Sequence, residues 1–242
     1  MKLSTLLSIS QLSIGAEEKL GLAYSNPSAN ELISLGANAK RTERMLAFLA
    51  HGGARVVFYG MASYPAPLYQ LDNPPFRLMY KGDLPTQTDR FLMVCGTRCP
   101  DALASRSSYE FALEAGANGV VVVTSNSRGI DRNCLYALKD SNKAALVVCD
   151  CGLAVKRITS NTLLAGFCTI SAFEPDDQAL SFRCLSRNVL STALAEATVV
   201  MQAPLKSGAL HCATCALDLG RDVYVHSTGT RTGEVNAGSR SL

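Results

Sequence analysis

Apolar positions along this chain follow two regimes. Over the first 60 residues they recur at helical spacing, as in "ANELISLGANAKRTERMLAFLAHGG", and a strand-like "ARVVFY" closes the segment. Gly52 and Gly53 mark the end of the last helix, where the chain must leave the helical conformation. From Phe91 onward the apolar residues come in short continuous runs: "FLMVC", "GVVVVT", "AALVVCD", "FCTISAF", "ATVVMQA" and "DVYVH". Runs this apolar leave no face for water, which suits a parallel sheet covered on both sides. Between them, "DALASRSSYEFALEAG", "LSRNVLSTALAEA" and "GALHCATCALDLG" are rich in helix formers. The pattern predicts a doubly wound α/β domain over residues 61–242, preceded by a small helical unit over residues 1–60.

The two regimes meet at "SYPAPLYQLDNPPFRLMYKGD". Its four prolines exclude a regular helix and favour an extended, turn-rich connector. Charge adds little, since 23 Lys and Arg against 20 acidic residues give a net charge of +3. Any site for a polyanion must therefore be a local patch. The opening "MKLSTLLSISQLSIG" reads as an amphipathic helix in preference to a signal peptide, and no apolar run is long enough to span a membrane. Nine cysteines, an odd number in a chain of 242 residues, fit a reducing cytoplasm better than a disulfide framework.

In an open parallel sheet, ligands collect where the strands end at their carboxyl termini. Four such turns carry suitable residues. "MVCGTRCPD" places Gly96, Thr97 and Arg98 directly after a strand, where free N–H groups and a guanidinium can hold a phosphate. "VVVTSNSRGIDRNC" supplies Ser127, Arg128 and Gly129, with Asp131 read as a helix cap. "LSRNVLS" puts Arg187 and Asn188 early in a helix, suited equally to a salt bridge or a ligand. "VVMQAPLKSG" ends in Lys206, Ser207 and Gly208: a point charge, a capping hydroxyl and a residue that admits close approach. The spacing is not that of a nucleotide-hydrolysing phosphate loop.

Cys212 and Cys215 have the spacing of a metal or redox pair, but no second pair supports a zinc site. They fall a turn inside an Ala/Leu-rich helix, with His211 expected to point elsewhere, and read as core packing. His51, His211 and His226 have no evident carboxylate or nucleophile partner, so neither a catalytic constellation nor a metal or cofactor site is expected.

Taken in order, the four turns resemble those of the DNA-processing protein A family (DprA, also called Smf) over roughly residues 60 to 228. "YPAPLYQLDNPPFRLMYKGDL" is similar to that family's entry segment and is the most specific match. "VCGTR" resembles its Val-Gly-Ser/Thr-Arg turn, and "TSNSRGID" its Ser-Gly-Leu-Ala-Arg-Gly-Ile-Asp. "SRNVLSTALAEATVVMQAPLKSGALHCATCALDLGRDVYV" is similar to its Arg-Asn-Arg helix, the following strand, the Ser-Gly-Ser-Leu turn and the closing Gly-Arg-x-Val. The match breaks at Asn126, where the family has Leu, at Val189, which replaces the second Arg of Arg-Asn-Arg, and after Cys151-Gly152-Leu153, where the family has Tyr-Pro.

The resemblance implies a Rossmann-like, mostly parallel sheet in a divergent member without the C-terminal winged-helix domain. It implies a non-enzymatic, homodimeric protein that binds single-stranded DNA and helps load the RecA recombinase during recombination or transformation. Carried over, the DNA-contacting positions are Thr97, Arg98, Ser127, Arg128, Gly129, Arg187, Asn188, Lys206, Ser207 and Gly208. Without Trp, base stacking would fall to Phe or Tyr, with Phe173 and Phe182 as candidates. Two other readings compete. One is a nucleotide-processing Rossmann enzyme that cleaves nucleoside monophosphates at the glycosidic bond, although its Pro-Gly-Gly-x-Gly-Thr signature is absent here. The other is a diverged dimeric structural protein that has lost DNA.

Overall fold

The continuous apolar runs become the strands of one sheet. In the computed structural model, which describes residues 1–86 and 89–242, eight strands line up in the order β1-β2-β6-β5-β4-β3-β7-β8. These are β1 (Arg55–Phe58), β2 (Arg77–Lys81), β3 (Arg90–Cys95), β4 (Val120–Thr124), β5 (Ala145–Val148), β6 (Cys168–Ser171), β7 (Ala197–Val200) and β8 (Asp222–Val225). The six from β6 to β8 are parallel, while β2 pairs antiparallel with both β1 and β6. The fold is the expected Rossmann-like one with an antiparallel edge added.

Strand β4 shows why the runs lack polar alternation. Val122 belongs to the hydrophobic cluster on one face of the sheet, while Val121 and Val123 belong to the cluster on the other. Each buried valine contributes about 1.5–3 kcal/mol relative to exposure, so both faces need covering. One face is covered by α5 (Ala102–Ala117), α6 (Ile130–Asp140) and the N-terminal helices α1 (Leu3–Ile9), α2 (Ala16–Tyr24), α3 (Ala29–Ser34) and α4 (Ala39–His51). The other is covered by α8 (Ser181–Ala193), α9 (Gly208–Asp218) and the residues around Tyr64 and Leu68. Residues of the first 60 thus share a core with the sheet: Leu7, Ile9 and Met45 lie in one cluster with Phe58, Phe76 and Met79.

The proline-rich connector contributes a single 3-10 turn, Ala66–Gln70, started by Pro65 and Pro67, and then strand β2. The chain runs from β3 outward through β4, β5 and β6, then crosses back to place β7 and β8 on the other side of β3. That reversal puts the switch point of the sheet between β3 and β7. No helix among the described residues is long and apolar enough to cross a membrane.

Candidate nucleic-acid interface

The turn after β3 is stitched to its neighbours on both sides. Thr97 N donates to Gln202 O at 2.7 Å beyond β7, and Ile130 N donates to Thr97 O at 3.2 Å from the start of α6. Asp101, the N-cap of α5, donates its own N–H to Gln202 Oε1 at 3.0 Å while its carboxylate accepts from Ala104 N at 2.8 Å. Two glycines permit this closeness. A Cβ at Gly96 would stand 2.5 Å from Ile130 Cγ1. One at Gly129 would stand 2.3 Å from Thr97 O, and its φ of +79° is a conformation that side chains disfavour. Gly129, not Asp131, occupies the N-cap position of α6.

Beside these turns a cleft of about 920 Å³ opens between α6 and the segment that follows β5. Arg98, Ser127 and Arg128 line it, three of the positions singled out from the sequence. Arg132 and Lys139 of α6 and Arg157 of the short helix α7 (Lys156–Thr159) add three more cations. Asp150 is the one carboxylate among the described lining residues, and it is already engaged. Its Oδ1 accepts from Arg157 Nη2, and its Oδ2 accepts from the Cys184 thiol at 3.1 Å. Burial alone would raise the Asp150 carboxyl, but the Cys184 hydrogen bond with Arg157 and Arg187 holds it below its ordinary value. The cleft therefore keeps a positive excess.

Beneath the cleft lies a buried polar cluster. Asp131 Oδ2 accepts from Ser125 Oγ, and Arg187 Nη1 approaches it at 4.0 Å. Ser127 Oγ lies 2.8 Å from Ser125 Oγ, which also accepts from Ser127 N at 3.1 Å, so the cluster sets the shape of the turn above it. Burial pushes the Asp131 carboxyl up to about 6, against the opposing pull of Arg187 and Ser125. Asp131 is thus a buried counter-charge in the first turn of α6, a correction to its reading as a cap.

The remaining sequence-derived positions form a second group. Arg187 and Asn188 sit in the middle of α8, not near its start, because the helix already begins at Ser181. Both are buried, and Asn188 Nδ2 donates to Gly208 O at 3.4 Å. Lys206 is exposed in the left-handed region at φ +58°, and a Cβ at Gly208 would meet only Asn188 Nδ2 at 3.8 Å. Ser207 stands at the N-cap of α9 without making a side-chain cap bond, and its buried Oγ has no hydrogen-bond partner. Residues 236–239 brace this turn: Asn236 Oδ1 accepts from Gln202 Nε2 at 2.9 Å, and Ser239 N donates to Ala203 O at 2.9 Å. Thus the structure gathers Arg98, Ser127 and Arg128 at the cleft, with Thr97 and Gly129 beneath them. It sets Lys206, Ser207 and Gly208 across β3, joined to the first group through α8, where Arg187 meets Asp131 and Asn188 meets Gly208.

The cysteine pair is buried, Cys212 against Cys95 across the β3–α9 contact. His211 does not point elsewhere: its Nδ1 lies 3.5 Å from Cys215 Sγ, since positions four apart share a helix face.

The family model described as DNA recombination-mediator protein A matches residues 55–242. The chain belongs to this family. Protein Smf of Borreliella burgdorferi is 32% identical over 179 residues, 72% of this chain and 57% of that protein. DNA processing protein DprA of Streptococcus pneumoniae is 27% identical over 166 residues, 66% of this chain and 58% of that protein. The matched part covers little more than half the length of these relatives. The X-ray structure of DprA from Streptococcus pneumoniae shares the fold, with a TM-score of 0.78 over 100% of this chain and 93% of that one at 22% identity. A structure of DNA processing protein A from Helicobacter pylori, reported for its single-stranded DNA binding mode, gives a TM-score of 0.68 over 80% and 88% at 24% identity.

Within this member of the recombination-mediator family, the sequence reading missed Arg132, Lys139, Arg157 and Tyr136. Arg132, Tyr136 and Lys139 lie on one face of α6, a spacing that could have been read from "IDRNCLYALKD" once Arg128 was chosen. Arg157 had no such signal, because it meets the others only through the crossover after β5. The stacking candidates Phe173 and Phe182 both pack on Arg183, whose guanidinium lies 5.4 and 5.5 Å from their ring centroids. Neither is among the residues lining the cleft.

Proposed function

We propose that this chain is a non-enzymatic mediator of recombination that binds single-stranded DNA in the cleft beside the strand-end turns. In this reading it acts as a homodimer and presents the bound strand to the RecA recombinase, in repair or in natural transformation. One observation carries the reading: Arg98 and Arg128, from two different turns, share a cleft with Arg132, Lys139 and Arg157, and its single described carboxylate is occupied. Such a surface favours the sugar-phosphate backbone irrespective of sequence. Family membership and the relatives' DNA-processing names support the same reading.

The test is fluorescence anisotropy of labelled oligonucleotides at several salt concentrations. Single strands are expected to bind with steep salt dependence, and duplex weakly. Arg98→Ala and Arg128→Ala should each weaken binding and reduce the salt slope by about one. Lys206→Ala does the same if the strand continues across β3 toward α9. No binding at low salt, or unchanged slopes in all three variants, would overturn the proposal.

A further inference from the structure

The cleft extends past the strand-end turns along α6. The α6 residues that line it are Arg132, Tyr136 and Lys139, four and three positions apart, and these spacings put all three on one face of the helix. Tyr136 is 47% exposed, and among the described residues no hydrogen bond ties its hydroxyl down. It is the aromatic residue among the described lining residues, with a cation one helical turn away on either side. Arg132 is half-buried, and its Nε is buried without a hydrogen-bond partner among the described residues. Lys139 is steadied by donating to Ala165 O and by the Phe167 ring, 5.8 Å away. Across the cleft stand Arg157 and Asn161.

We propose that this wall of α6 is a stacking subsite for one nucleotide of a single strand, with a base on the Tyr136 ring and the flanking phosphates at Arg132 and Lys139. The inference rests on the single-strand reading above and goes beyond it by assigning the base-binding residue. A ring bracketed by cations at one-turn spacing matches a strand in which base and phosphates alternate. An aromatic face accepts every base, which suits binding without sequence preference. Phe173 and Phe182 are poorer platforms, because Arg183 packs against both rings.

The experiment uses the full chain with oligo-dT carrying a single 2-aminopurine, whose emission is quenched on stacking, and follows anisotropy in parallel. Wild type and Tyr136→Phe should both quench the probe and bind alike. Tyr136→Ala should lose the quench and roughly tenfold in affinity while keeping the salt slope. Arg132→Ala and Lys139→Ala should each lower that slope by about one. If Tyr136→Ala quenches and binds like wild type while Arg98→Ala and Arg128→Ala are impaired, the stacking site is overturned and the single-strand reading stands. If the wild-type chain binds no single strand, both fall.

Discussion

Arg77 and Arg187 are buried to the same degree, 6% and 7% exposed, yet they belong to regions that work in opposite ways. Arg77 lies between the N-terminal helices and the antiparallel edge of the sheet. Its Nη1 donates to Ser10 Oγ and meets Met45 Sδ, each at 2.8 Å, and its Nη2 donates to Ala172 O at 3.4 Å. The nearby Glu174 carboxylate is taken by Arg41 through a bidentate pair at 2.6 to 3.1 Å. Burial pushes the Arg77 pKa down to about 10 against the opposing pull of Glu174 and Asp177, while the groups it touches directly are neutral. Arg187 instead faces Asp131, under turns that open onto a cleft. The contrast teaches that a buried cation marks no site by itself. What matters is whether it is sealed by neutral partners or supports exposed charges beside open volume.

The largest expected effect tests the sealed region. Arg77→Ala removes a long side chain and the partner of Ser10, and should lower stability by about 3 kcal/mol in urea unfolding. The folded variant should keep the wild-type salt slope for oligonucleotides. A changed slope would break the comparison by making Arg77 part of the DNA surface.

The next concerns Asp131. Its folded pKa lies above the ordinary carboxylate value, so the folded protein holds an extra proton between the two. Its contribution to stability is complete below the ordinary pKa of about 4 and is lost as pH rises through about 6, a total of roughly 2–3 kcal/mol. Asp131→Asn should flatten that part of the stability profile. A slope that persists in the variant would assign the titration to another group.

The smallest effect sharpens the picture of the cleft. Asp150→Asn should release Arg157 for a phosphate and raise single-strand affinity about two- to fivefold, the worth of a partly exposed ion pair. A loss of affinity at constant stability would instead make Asp150 a brace that points Arg157 into the cleft.

Much of this was legible in the chain itself. The β4 run "GVVVVT" announced a strand buried on both faces, because no polar residue interrupts it. Gly96 and Gly129 stood out as residues of ligand-binding turns, whereas their role in letting those two turns approach each other needed the fold. By contrast, β2 was hidden in the proline-rich connector: Arg77–Lys81 is too short and mixed to declare itself, and it becomes a strand only by pairing with β1 and β6. Asp131 read as a cap because local spacing cannot reveal that Ser125 and Arg187 converge on it. Likewise, Arg187 and Lys206 qualified equally as phosphate ligands by residue type, whereas the fold buries the first and exposes the second.

By itself, then, the sequence determined the parallel sheet, most of its helices and the strand-end turns that carry Thr97, Arg98, Ser127, Arg128 and Gly129. Those features follow from periodicity and backbone freedom, which act over a few residues. Only the tertiary structure decided that Arg98, Arg132, Lys139 and Arg157 share one cleft, that Asp150 neutralises one of them, and that Tyr136 stands open among them. These depend on crossovers that bring distant segments together and on burial, which decides whether a charge is spent on a neighbour or left to face solvent.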